Sequence, residues 1–176
     1  RQMCIRDRST IRDGGVATPY YGIQFSNIKA DNCSILFFVR QSNITSTDGL
    51  QHTVQLNGCY AVNCGAYEGA LQFSRAANVL VSNLILINNP GVASTSLIRG
   101  THRNCRFENI IFSGNADSII NLDPGTYSLD NSYPPTGNSY DIQHVGGTVN
   151  FIINSSNSID TKCTGRFQLE LSLIHI

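Results

Sequence analysis

Three arginines close short apolar runs and form the strongest polar pattern of the chain. Arg40 ends Phe-Val-Arg, Arg75 ends Phe-Ser-Arg and Arg99 ends Leu-Ile-Arg. If these runs are strands that lie side by side, the three guanidinium groups form a stripe, and charges of one sign that close require an acid or an anionic ligand between them. The planar fork of arginine holds a carboxylate or a sulfate in a bidentate manner. The pattern therefore indicates a groove for an acidic glycan. Three further candidates for substrate binding lie near the series, namely His102, Arg103 and Asp117.

A plainer interpretation of the same arginines stays open. Each one can close a turn and pair with an acid nearby, and Glu68, Asp48 and Asp117 are available for this. The connections between the runs differ in length, so the sequence alone does not fix whether the arginines align.

Catalytic and metal-binding patterns are weaker. Inverting hydrolysis of a glycosidic bond needs two carboxyl groups about 6.5–9.5 Å apart, and no residue stands out as the partner of Asp117. We therefore assign no catalytic residue, and whether the protein is an enzyme stays open. The cysteines form no Cys-x-x-Cys pair, and the pair Cys59 and Cys64 has no histidine partner in sequence, so we predict no metal site and interpret the cysteines as small buried apolar residues.

Asparagines recur at regular intervals between short apolar runs. The string that starts at Asn78 is followed 26 residues later by a similar string that starts at Asn104, which aligns Asn83 with Asn109. Gly58 fits the slot of Asn83 in an earlier string, because glycine adopts the left-handed backbone that asparagine also tolerates. Amides stacked at such corners can bond to one another. The predicted asparagine ladder comprises Asn27, Gly58, Asn83 and Asn109 at one corner, with Asn32, Asn63, Asn88, Asn89 and Asn115 at the next.

The repeat also sets the predicted fold class. A second strand follows each asparagine string, at 34–40, 69–75, 94–99 and 117–122, and no stretch keeps a helical apolar pattern for three turns. A period of about 25 residues with two or three strands and no helix is typical of a solenoid. We predict an all-β chain of about four to five stacked coils, truncated at both ends. The alternative is a β-sandwich, which requires antiparallel hairpins with turn signals every 8 to 12 residues.

Strings of the form Asn-x-x-φ-x-Asn-φ-x-φ-x-x-Asn (φ, an apolar residue) resemble the repeats of right-handed parallel β-helices of the pectate-lyase-like superfamily. The resemblance covers residues 20–123 well and 138–160 loosely. It implies a secreted or cell-surface protein directed at carbohydrate, and it implies calcium only by analogy with the lyases of that superfamily; we expect no cofactor from the residues themselves. The Asp-Asp pair and the Gly-His-Gly string of the related pectin hydrolases are missing here, so the resemblance specifies architecture and not activity.

The two ends differ from the rest of the chain. Residues 1–8 and 171–176 read like translated sequencing adapter, and we expect both to be non-native tails. Between them, residues 9–170 are predicted to form a single β-helix domain with an inserted loop at 124–137, which is rich in Pro and Gly.

Composition limits the classes of partner. The formal net charge is zero, which removes the electrostatic case for nucleic acid, and no apolar run reaches the roughly 18 residues of a membrane span. We expect an extracellular or cell-surface protein that binds or cleaves acidic polysaccharide. The alternative is a non-catalytic surface, adhesin or phage tail-spike module, and uncapped end strands predict self-association in either case.

Overall fold

The computed structural model describes residues 10–12, 23–40, 54–65, 69–88, 94–122, 136–154 and 164–169. Within these ranges the chain is all-β, without a helix, as the sequence predicted. The thirteen strands are β1 (Thr10–Arg12), β2 (Ile23–Ser26), β3 (Lys29–Asp31), β4 (Phe37–Arg40), β5 (Val54–Val62), β6 (Leu71–Ala77), β7 (Val79–Ile87), β8 (Ser94–Arg103), β9 (Arg106–Ser113), β10 (Ala116–Asn121), β11 (Ser139–His144), β12 (Val149–Asn154) and β13 (Thr164–Leu169). Both expected tails and most of the expected 124–137 loop lie outside the described residues.

The strands form two sheets in which every described pair is parallel. Sheet A has the order β1-β4-β6-β8-β10-β12, and sheet B has the order β13-β11-β9-β7-β5-β2, with β3 also paired to β5. From β4 onward, consecutive strands alternate between the sheets, so each strand pairs with the next but one along the chain. The antiparallel hairpins that a β-sandwich requires are therefore not found among the described strands.

The registers stack apolar residues on apolar residues. In sheet B, Leu56 pairs with Val81, which pairs with Phe107, and all three are buried. Three residues further along the same strands, Cys59, Leu84 and Ile110 repeat this stacking, and two residues beyond those Ala61, Leu86 and Phe112 repeat it again. Burying each large apolar side chain contributes roughly 1.5–3 kcal/mol. A slip of one residue would turn these side chains to the outer face, so this stacking fixes the register.

A residue with left-handed backbone lies inside each of β5, β7 and β9, and another lies between β2 and β3. Asn27, Gly58, Asn83 and Asn109 occupy this position with φ of 56°, 65°, 53° and 52°. The amide of Asn109 donates to Asn83 Oδ1 at 2.7 Å, and the amide of Asn83 donates to Asn57 Oδ1 at 2.9 Å. Because Gly58 has no side chain, its neighbour Asn57 accepts the hydrogen bond at that level.

The second predicted corner is more varied. Asn32 and Asn63 have φ of 53°. Asn88, by contrast, is buried and is not left-handed; its side chain accepts from the Cys64 N–H at 3.0 Å and donates to the Cys64 carbonyl at 3.1 Å. Asn115 is half-buried and accepts from the Thr148 N–H at 2.9 Å. Asn89 lies outside the described residues. At this corner, Asn88 is therefore a buried side chain bonded to the Cys64 backbone, where the sequence predicted one more member of a uniform asparagine ladder.

Candidate functional site

The backbone registers do not align the three arginines. Arg40 pairs with Ser74, and Arg99 pairs with Gln72, three residues before Arg75. The pairing of the buried residues Leu71 and Ile98 sets this offset. The register also shifts between Phe73 and Ala76, where β6 carries one residue more than β8, and Arg75 lies in that bulge. The predicted arginine stripe is therefore wrong as an alignment; the side chains of Arg40 and Arg75 are outside the described part.

Arg99 instead takes part in a polar row across three strands of sheet A. Its backbone pairs with Gln72 on one side and Asn121 on the other. Gln72 is buried, while Arg99 and Asn121 are half-buried. We call Gln72, Arg99 and Asn121 the arginine row.

The guanidinium of Arg99 is incompletely hydrogen-bonded. Its Nε atom is buried and has no hydrogen-bond partner. A buried N–H without an acceptor costs about 1–3 kcal/mol, and more where the group is charged. An acceptor that reached this atom would remove the cost; because the atom is shielded from solvent, the half-buried side chain must turn outward before a ligand can supply one.

The other predicted polar residues of sheet A are dispersed. Asp117 is exposed and accepts a hydrogen bond from the Asn150 amide at 3.2 Å. It precedes Asn121 by four residues on β10, which corresponds to about 13 Å along a strand. Arg103 is half-buried at the end of β8, where it pairs with Ala77. The structure therefore does not bring Asp117 next to Arg99.

His102 is a core residue, and its prediction as a surface binding residue is wrong. It is fully buried against Phe73, Phe107 and Tyr140. A carbonyl can only accept, so Nδ1–H donates to the Gly100 oxygen at 2.8 Å, and Nε2 accepts from the Tyr140 hydroxyl at 2.8 Å. Burial lowers the pKa of His102 to about 4, so the ring is neutral near pH 7. Both ring nitrogens are thus committed within the core.

The described cysteines are also structural. Cys33, Cys59, Cys64 and Cys105 are buried and form no disulfide. Burial raises the pKa of Cys64 to about 12, and that of Cys105 to about 12. A thiol in this state is a poor nucleophile and a poor metal ligand, because both roles require the thiolate. Within the described ranges, no three His, Cys, Asp or Glu side chains are grouped for a metal ion.

Sheet B carries a charged cluster that the sequence did not single out. Arg166 contacts Asp141 Oδ1 through Nη2 at 2.8 Å and through Nε at 2.9 Å. Arg106 and Glu108 form a second ion pair on β9. A shallow depression lies beside the first pair and is lined by Asn109, Ile111, Gln143 and their neighbours. Because the cluster joins residues from three strands, only the register reveals it.

The outer face of sheet B also exposes apolar side chains. Tyr60 pairs with Ile85, which pairs with Ile111. Tyr60 is 41% exposed and Ile85 38% exposed. Val62 and Ile87 pair beside them and are half-buried. We call these five residues the apolar stripe.

Comparisons with protein-family models, with curated proteins and with solved structures give no match to this chain. Among the residues that the structure describes, none belongs to a helix long and apolar enough to cross a membrane.

Proposed function

We propose that the chain is a right-handed parallel β-helix of the pectate-lyase-like class. Two all-parallel sheets and strands that alternate between them support this architecture. A crossover between parallel strands of one sheet is right-handed in about 98% of cases, which supports the handedness. The left-handed asparagines at the bends of sheet B support the resemblance stated above.

We propose that this module belongs to a secreted or cell-surface protein and binds acidic polysaccharide through the arginine row. The observation that carries the proposal is the buried Nε of Arg99, which lacks an acceptor. The carboxylate of a uronic acid supplies that acceptor and a second oxygen for another guanidinium N–H. The proposal includes no catalytic step.

Binding of polygalacturonate to the wild-type chain and to an Arg99→Gln variant tests the proposal. A charge-assisted hydrogen bond contributes about 1.5–3 kcal/mol, so we expect Arg99→Gln to weaken binding roughly 10- to 100-fold. Neutral dextran should bind both proteins equally poorly. Binding of polygalacturonate should also weaken as salt is added, since it depends on a charge.

Arg106→Gln is the matched control. It removes an exposed arginine from sheet B, where Arg106 is paired with Glu108, so polygalacturonate binding should stay within a factor of two. Equal loss in the two variants would mean that only net charge matters. Absence of wild-type binding would reject the glycan proposal outright.

The second candidate function is a non-catalytic surface, adhesin or tail-spike module that acts by association. The apolar stripe favours it, because contiguous apolar side chains on a protein surface can mark an interaction site. Protein association without glycan binding is the result that would select this candidate.

A further inference from the structure

Cys33 and Cys64 occupy matching positions in two successive coils. The register of β3 on β5 ends with Asp31 opposite Val62. The Gly65 N–H donates to the Cys33 carbonyl at 2.9 Å, which is the hydrogen bond that continues this register by two residues. Cys33 therefore lies opposite Cys64. Neighbouring parallel strands are about 4.8 Å apart, within the Cα–Cα range of about 4.4–6.8 Å that a disulfide spans.

The side chains of the two cysteines are also in contact. Each cysteine follows an asparagine with φ of 53°, Asn32 in one coil and Asn63 in the next. Both cysteines are buried in the same apolar core. Burial is the main cause that raises the pKa of Cys64, and a side-chain hydrogen bond with Cys33 raises it further. The two thiols are therefore hydrogen-bonded neighbours.

The other two cysteines that the structure describes stack on residues of other types. Cys59 lies opposite Leu84. The Cys105 N–H donates to the Asn138 side chain at 3.0 Å. Both are buried, as Cys33 and Cys64 are. They therefore serve as internal controls for any reaction that depends on the stacking of two thiols.

We propose that Cys33 and Cys64 form a disulfide when the chain folds under oxidising conditions, and that this bond joins the coil of β3 to the coil of β5. The oxidant is a small-molecule disulfide such as glutathione disulfide. The Cys33 thiolate attacks one sulfur atom of the oxidant, which forms a mixed disulfide and releases one glutathione. The Cys64 thiolate then attacks Cys33 Sγ and releases the second glutathione. The two thiol protons and two electrons of the cysteines thus end on two molecules of reduced glutathione.

The reaction belongs to folding, before the two coils are packed. In the folded chain, burial keeps the Cys64 thiol protonated near pH 7, and exchange requires the thiolate. Before the coils pack, Cys64 is in water and ionises as a free cysteine does. Oxidation of the folded chain should therefore be slower than oxidation during refolding. This inference does not depend on glycan binding.

Refolding from urea in a mixture of reduced and oxidised glutathione, followed by alkylation and peptide mapping, tests the proposal. Cleavage after Tyr60 by chymotrypsin separates Cys59 from Cys64, and cleavage after Arg40 by trypsin separates both from Cys33. We expect one linked pair of peptides that contains Cys33 and Cys64. Its mass should be lower than the sum of the two free peptides by two hydrogen atoms, and Cys59 should be alkylated.

The disulfide should also stabilise the fold. It closes a loop of about 30 residues and so restricts the unfolded chain. The urea midpoint of the oxidised wild type should therefore lie about 1 M above that of the reduced protein. Cys33→Ala should abolish this difference. Cys105→Ala is the matched control, because it removes a buried thiol that is not stacked on another, and it should keep the difference.

Three outcomes would overturn the proposal. One is a refolded wild type in which both Cys33 and Cys64 are still alkylated. Another is a bond from either of them to a different cysteine, which would mean that the register does not select the pair. A third is an oxidised wild type that is no more stable than the reduced protein, or a difference in midpoint that persists in Cys33→Ala.

Discussion

Replacing Asn83 tests whether the left-handed bend of sheet B determines stability. Asn83 has φ of 53° and makes two side-chain hydrogen bonds, one to Asn57 and one from Asn109. In an ordinary strand, glycine is about 0.5–1 kcal/mol worse than alanine. At this position the order should reverse, because glycine adopts positive φ freely and alanine does not.

The magnitudes follow from the geometry. The two hydrogen bonds are exposed, so each contributes near the lower end of the usual range, or about 0.5 kcal/mol. Their loss costs about 1 kcal/mol in either variant. Alanine adds about 1–2 kcal/mol for the left-handed backbone. We therefore expect Asn83→Ala to cost about 2–3 kcal/mol of unfolding free energy and Asn83→Gly about 1 kcal/mol.

Equilibrium unfolding in urea measures both values. Gln143 provides the control position, since it is exposed in β11 and is not among the residues with positive φ. There, glycine should be less stable than alanine. If Asn83→Gly is less stable than Asn83→Ala, as at Gln143, the proposed role of the backbone at this bend is refuted.

Three other perturbations address the core. His102 is neutral in the folded protein, because its pKa is about 4 there against 6.5 for the free side chain. The contribution of this neutral ring to the unfolding free energy is therefore complete above pH 6.5. As the pH falls from 6.5 to about 4, the unfolding free energy should drop by roughly 1.4 kcal/mol per pH unit. His102→Gln should remove that slope in urea titrations, and unchanged slopes would contradict the assignment. Gly100→Ala should prevent folding, seen as lost strand signal in circular dichroism, because φ is 97° and a Cβ would overlap the Phe73 carbonyl oxygen; a stable variant would disprove the close approach. Asn88→Leu should lower the unfolding free energy measured in urea by about 2–4 kcal/mol, since it removes the side-chain hydrogen bonds to the buried N–H and carbonyl of Cys64. A decrease of less than 1 kcal/mol would show that these two hydrogen bonds are dispensable.

Local patterns were sufficient to predict the strands. Apolar runs between asparagines predicted strands near 34–40, 69–75, 94–99 and 117–122, and β4, β6, β8 and β10 lie there. This worked because a bend that needs positive φ selects asparagine or glycine, and because alternation with period two is a property of the strand itself.

The candidate site depended on long-range pairing that no local pattern contains. Arg99 and Arg75 end similar runs, yet a bulge in β6 and the pairing of buried apolar residues offset them. His102 follows Arg99 in a polar stretch, but β8 continues to Arg103 and carries the ring into the core.

Conformational preferences of neighbouring residues are enough to place most of the strands and the left-handed bend of sheet B, which asparagine or glycine occupies. Tertiary structure alone decided which strands lie together and in what register. The register decides which face of the sheet each side chain occupies. The register is set in turn by contacts between residues that lie 24 to 38 positions apart in the sequence. The arginine row and the apolar stripe therefore exist only in the folded chain.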